Sequence, residues 1–131
     1  MSKRILVIDD DENVRDTISL LLRHKGFTVF TCSTGREIFQ TIQRTTPDLI
    51  LLDVMLGELD GRAICKAIKN NPITSYIPVI ILSGVYNIYN IILDEKANDV
   101  LPKPFTEDVL LARVGRQLSL ASSAGNAVAS V

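Results

Sequence analysis

Cysteine and histidine are scarce in this chain: 131 residues include two cysteines and a single histidine. Cys32 and Cys65 have no CxxC or His-paired spacing, which excludes a zinc site and a disulfide framework as organising devices. Both read as small core residues. The lone histidine, His24, sits with Arg23 and Lys25 just before Gly26, so it reads as a helix-end residue that complements the helix dipole rather than as a ligand. Charge of one sign is also lacking. Fourteen basic residues against fifteen acidic ones leave no global field, and the lysines and arginines form no stripe, so a nucleic-acid partner is not indicated. No apolar run approaches the length of a membrane span or a signal-peptide core, because Ile5-Leu6-Val7-Ile8 stops at three aspartates. The protein is expected to remain in the cytoplasm.

What the chain does have is four short apolar runs, each ending on a residue that can handle phosphate or metal. Ile5-Leu6-Val7-Ile8 leads to Asp9 and Asp10, Leu49-Ile50-Leu51-Leu52 to Asp53, Val79-Ile80-Ile81-Leu82 to Ser83, and Val100-Leu101-Pro102 to Lys103. Helical spacing fills the intervals: Val14, Ile18, Leu21 and Leu22, then Ile38, Phe39 and Ile42, then Ala63, Ile64, Ala67 and Ile68, and finally Val109, Leu110, Val114 and Leu118. Phe27 to Cys32 supplies a further β-branched and aromatic strand.

This alternation predicts one α/β domain, a doubly wound (βα)5 sandwich with a five-stranded parallel sheet. Five strands favour the flavodoxin-like order 2-1-3-4-5, which sets Asp9 and Asp10 across the switch-point crevice from Asp53. Residues 1–120 are assigned to the domain. Residues 121–131, small and unpatterned, are expected to form a flexible tail or the start of a linker.

Three carboxylates brought together repel one another and raise their own proton affinities unless a cation holds them. With Lys103 they leave a site of net charge −2, and an all-oxygen donor set suits Mg²⁺. Ser83 and Lys103 can neutralise a phosphoryl group, and Asp53, at the end of the longest apolar strand, is the natural nucleophile.

These residues and their surroundings, Ile5 to Asp11, Leu51-Leu52-Asp53-Val54-Met55-Leu56, Leu59-Asp60-Gly61, Ile80 to Gly84 and Leu101-Pro102-Lys103-Pro104-Phe105, closely resemble the receiver domain of two-component response regulators over about residues 3–119. The resemblance implies that Asp53 is the phosphoacceptor. It further implies that Asp10 is the main carboxylate ligand of Mg²⁺, that Asp9 acts mostly through water, and that the Met55 carbonyl is another ligand. Ser83 and Lys103 would contact the phosphoryl group, and Lys103-Pro104 would be a cis peptide. The implied partners are a histidine kinase or phosphotransfer protein as donor and a downstream target protein or missing effector domain as recipient. On this reading the chain is no enzyme beyond assisting its own phosphorylation and dephosphorylation.

Two departures accompany the resemblance. Val100 stands where receivers commonly carry Tyr or Phe, so an aromatic rotamer switch cannot operate as usual, and Gly57 replaces a common proline. The segment from Val85 to Leu93 is more apolar than a surface helix needs. It reads either as buried against the sheet or as an exposed patch for a partner or for a second protomer, which would give a homodimer through the fourth and fifth units. The alternatives to phosphoacceptance are an interaction module with vestigial phosphorylation and a phosphatase using an aspartyl intermediate. The latter is disfavoured by the absence of an Asp-x-Asp pair at Asp53 and of room for a cap domain.

Overall fold

A computed structural model describes residues 2–33, 37–56, 59–84 and 96–129, with side chains described as far as residue 123. The elements in chain order are β1 (Arg4–Ile8), α1 (Glu12–His24), β2 (Thr28–Cys32), α2 (Ile38–Thr45), β3 (Leu49–Asp53), β4 (Met55–Leu56), β5 (Leu59–Asp60), α3 (Gly61–Asn70), β6 (Val79–Ser83), β7 (Asp99–Pro102) and α4 (Glu107–Ala129). Five strands form one parallel sheet in the order β2-β1-β3-β6-β7. Since β6 and β7 are its fourth and fifth strands, this is the flavodoxin-like order.

Alternation along each central strand builds two cores at once. Ile5 and Val7 of β1, Leu49 and Leu51 of β3, and Ile80 and Leu82 of β6 pack on one face with Ile18 and Leu22 of α1 and Leu110 and Val114 of α4. Leu6, Ile8, Ile50, Leu52, Val79 and Ile81 face the other way, against Ile38 and Ile42 of α2 and Cys65 and Ile68 of α3. Successive side chains of a strand point to opposite faces, so near-continuous apolar runs are what a sheet covered on both sides requires. Val100 is 3% exposed and belongs to the second core. Both cysteines are buried, as expected of core residues.

Local chemistry sets the helix limits. Asp11 caps α1, its Oδ1 accepting from the amides of Asn13 at 2.9 Å and Val14 at 3.4 Å. The helix stops where Gly26 takes φ +93°, a left-handed conformation glycine adopts without strain. Asp60 caps α3 by accepting from the Arg62 amide, and Thr106 Oγ1 accepts from the amide of Val109 in the first turn of α4. At the other end of the sheet, Arg4 N donates to Asp48 Oδ2 at 2.8 Å, and Asp48 N donates back to Arg4 O.

Three local features depart from the sequence reading. Met55–Leu56 and Leu59–Asp60 pair antiparallel in a small hairpin beside the main sheet. The last sheet strand, which the sequence pattern predicts over Asp99 to Phe105, ends at Pro102. Helix α4 continues to Ala129, through the segment expected as a tail. Alanine and serine there supply no amphipathic pattern, yet they carry little helix penalty and no proline interrupts them. The apolar stretch Val85 to Leu93 and Gly57 lie outside the described residues.

Candidate functional site

Parallel strands deliver their carboxyl ends to one edge. β1 hands over to Asp9 and Asp10, β3 ends on Asp53, β6 ends on Ser83, and β7 is followed by Lys103. The main chain stitches these ends together: Asp9 N donates to Cys32 O, Val54 N to Leu82 O, and Lys103 N to Ser83 O at 2.8 Å. Every residue singled out at this edge from the sequence is therefore brought to one place.

The carboxylates sit at graded depth. Asp9 is fully buried, Asp53 is 7% exposed and Asp10 is exposed at the rim. One oxygen from each of Asp9, Asp10 and Asp53 lies within 4.8 Å of the others, an arrangement that could hold a metal ion. Lys103 Nζ reaches in to 3.2 Å from Asp53 Oδ1 and 3.4 Å from Asp9 Oδ2. Asp9 also accepts from the Asp11 amide at 2.9 Å, and its carbonyl accepts from Arg15 Nη1 at 2.8 Å. Ser83, 1% exposed, lines up with Pro102 in the β6–β7 register. Met55 follows the Asp53 strand end by two residues; its amide hydrogen-bonds the Asp53 carboxylate, and its side chain is 70% exposed.

Electrostatics mark Asp53 as the group under tension. Burial and then the neighbouring Asp9 charge push its carboxyl above the ordinary aspartate value, against the opposing pull of Lys103 and the Met55 amide. Lys103 shows the complementary effect. Burial pulls its ammonium down, but attraction to Asp53 and Asp9 outweighs that loss and holds it above the usual lysine value. Three carboxylates against one ammonium leave the cluster short of positive charge. A hard divalent cation with oxygen preference fits this donor set, and Asp9, Asp10 and Asp53 are the residues that would hold it.

Three supporting residues were not legible beforehand. Arg15 fixes the main chain of Asp9, and Asp11, besides capping α1, donates its amide to the Asp9 carboxylate. Gly61 lies against the main chain of Asp53 and Val54 so closely that a Cβ there would collide with the Asp53 carbonyl. An Asp-Gly dipeptide marks a turn or helix cap, but nothing local in the sequence marks what Gly61 touches. The Lys103-Pro104 peptide is cis, as the resemblance implied.

Comparison with known proteins decides the family. The model of the response regulator receiver domain matches residues 5–115. The chain belongs to this family. Response regulator MprA of Mycobacterium ulcerans is 37% identical over 116 residues, which cover 87% of this chain and 49% of that protein. This receiver domain thus spans about half the length of the curated relatives it matches. Among solved structures, the signal receiver domain of a signal transduction histidine kinase from Syntrophus aciditrophicus superposes with a TM-score of 0.82 at 32% identity, covering 90% of this chain and 91% of that one. NtrX from Brucella abortus gives a TM-score of 0.90 at 28% identity, covering all of this chain and 30% of that one. The fold and family place the chain among the receiver modules of two-component signalling. Among the described residues, no helix is long and apolar enough to cross a membrane.

Proposed function

We propose that the domain accepts a phosphoryl group on Asp53 in a Mg²⁺-dependent transfer from a histidine kinase or phosphotransfer protein, and that the modified surface is read by a target protein or an attached effector domain. The observation that carries this reading is the convergence of Asp9, Asp10, Asp53 and Lys103 at one sheet edge, with Asp53 close enough to Lys103 for a charged hydrogen bond. A carboxylate oxygen of Asp53 forms the new O–P bond while the P–N bond of the donor phosphohistidine breaks. The electron pair of that bond returns to the imidazole nitrogen.

Each residue has a separate part in this. Lys103 holds the attacking carboxylate in place and offers N–H donors to the phosphoryl oxygens, and the Ser83 hydroxyl, at the end of the strand beside β3, would donate another hydrogen bond. Asp10 and the Met55 carbonyl would be the further ligands of the metal, with Asp9 acting mostly through water. When bound, Mg²⁺ supplies positive charge against the oxygens of the transferring group. The burial and charge that raise the proton affinity of Asp53 also make it a more basic nucleophile than an exposed aspartate. Positioning and charge neutralisation reside in the receiver, so a small donor such as acetyl phosphate serves the same acceptor. The domain promotes its own modification and turns over no external substrate.

Incubation with acetyl phosphate and Mg²⁺ should add one acid-labile phosphoryl group, detected by intact mass, and Asp53→Asn should abolish it. Undiminished labelling of that variant would refute the assignment. Beryllofluoride with Mg²⁺ should bind and shift amide resonances around Asp53 and Ser83. Absence of any binding favours an interaction module with vestigial phosphorylation.

A further inference from the structure

Arg15, near the start of α1, has acidic neighbours along the chain: Asp9 to Asp11 and Glu12 precede it, and Asp16 follows. None of the ion pairs found among the described residues involves it. Its Nη1 donates instead to the main-chain carbonyl of Asp9, at 2.8 Å in a partly buried setting. The helix itself does not call for an arginine here, because a cation near a helix N-terminus faces the positive end of the dipole. The guanidinium is directed at one peptide.

That peptide joins Asp9 to Asp10. Asp9 is held at its other polar atoms as well: its amide donates to Cys32 O at 3.2 Å, its Oδ1 accepts from the Asp11 amide at 2.9 Å, and its Oδ2 accepts from Lys103 Nζ at 3.4 Å. Asp10 stands exposed at the rim. Since a peptide is planar, a bond to the Asp9 carbonyl also fixes the Asp10 nitrogen, and with it the direction in which Asp10 leaves the strand end. We propose that Arg15 is a positioning residue for the metal site: by clamping this peptide, it sets how tightly Asp9 and Asp10 hold Mg²⁺. The inference rests on the metal site of the proposed function and adds a residue behind its ligands. Ligands already held in place bind a cation more tightly than ligands the cation must order.

Removing the arginine has two opposed effects. Loss of a positive charge near the site favours a bound cation, while loss of the clamp disfavours it. Solvent and salt screen the charge of a partly exposed guanidinium, whereas losing an outer-shell partner typically costs about 10–100-fold in metal affinity. The clamp therefore decides the sign.

Arg15→Met removes the charge and the donors at similar side-chain length. Titrating Mg²⁺ into the unmodified chain and the variant, followed through the amide resonances of Asp10, Asp53 and Met55, should give a Kd about tenfold higher in the variant. Arg15→Lys keeps the charge and a donor but not the planar fork, so it should recover part of the affinity. Half-saturating Mg²⁺ in acetyl phosphate labelling should rise in the same order, with the deficit closing as Mg²⁺ is raised; a general loss of fold would lower the plateau instead. The same spectra report whether each variant is folded, and Arg15→Ala, of higher helix propensity, supplies the deletion should Arg15→Met unfold. A deletion variant that binds Mg²⁺ as tightly as the unmodified chain, or more tightly, overturns the inference, and so does a lysine variant as weak as the deletion. Failure of the unmodified chain to bind Mg²⁺ would overturn the metal site itself, whereas binding indifferent to Arg15 overturns this inference alone.

Discussion

The backbone of Gly61, the first residue of α3, is pressed against the main chain of Asp53, the last residue of β3. Its amide donates to the carbonyl of Val54 at 2.6 Å, and a Cβ at this position would collide with the Asp53 carbonyl oxygen. The neighbour is backbone of a central strand, which cannot turn aside as a long side chain can.

Two principles give opposite signs for Gly61→Ala, and the contact decides between them. Helix propensity alone favours alanine by about 1 kcal/mol. Overpacking against a fixed strand costs roughly 1–3 kcal/mol and displaces the peptide that carries the acceptor. Gly61→Ala is therefore expected to lower stability in urea unfolding and to slow acetyl phosphate labelling. A gain in stability would show that the strand end yields.

The raised proton affinity of Asp53 also fixes a sign. Between the ordinary value of 3.8 and the higher folded one, the folded state binds more protons than the unfolded state, so stability falls as pH rises through that window. Above it, the full cost of holding the charged carboxylate beside Asp9 remains. In EDTA at neutral pH, Asp53→Asn should melt higher than the unmodified chain, by roughly a few degrees for a domain of this size. Added Mg²⁺ should stabilise the unmodified chain more than the variant, because ligand binding favours the state that binds it. Thermal melts with and without metal provide both comparisons, and a variant that melts lower in EDTA would contradict this account.

Lys103→Met removes the ammonium that faces both inner carboxylates. Taking one partner from a buried charge cluster leaves the others uncompensated, at a cost of about 3–5 kcal/mol in a fully buried setting. Lys103 is 30% exposed in its side chain, so a loss of about 2 kcal/mol is expected at neutral pH without metal. The deficit should shrink in mild acid as the Asp53 carboxyl, with its raised proton affinity, takes up a proton. Its own linkage has the opposite range: the raised lysine pKa stabilises the fold below the unfolded value of 10.5, and that stability is lost as pH rises through the folded one. Urea midpoints at several pH values measure the first trend.

The carboxyl edge was legible because it rests on a global rule. Parallel order sends Asp9, Asp53, Ser83 and Lys103 to one side whatever the details of the loops, and the apolar runs announced the order. The two-residue strands Met55–Leu56 and Leu59–Asp60 were not legible, since a pair that short has no period to detect. Helix α4 past Ala121 was missed for a similar reason: its alanines and serines permit a helix without advertising a buried face. Contacts such as Gly61 on Asp53 depend on how α3 is set against β3, which spacing along the chain does not encode.

The same limit hid a polar bridge at the opposite end of the sheet, which supplies the last prediction. Asn98 Oδ1 accepts from Lys69 Nζ and from the amide of Val79, both at 2.9 Å, while Lys69 also donates to the carbonyl of Ile77. Burial pulls the Lys69 ammonium below its ordinary value, and both acceptors it meets here are neutral. Asn98→Asp keeps an oxygen acceptor in place for both donors and adds the missing negative charge. It should raise stability at neutral pH by about 1 kcal/mol, a typical gain when a partly buried hydrogen bond becomes charge-assisted. The sign follows from linkage: a new aspartate whose folded pKa is depressed by Lys69 stabilises the fold above its unfolded value of about 3.9, and the gain is lost as pH falls through the folded pKa. Asn98→Ala should lose about 2 kcal/mol instead, because it strands a half-buried ammonium and a strand amide together. Paired urea titrations of the two variants at pH 7 and in mild acid test both, and an aspartate variant less stable than the parent at pH 7 would show that Lys69 is already satisfied by its neutral acceptors.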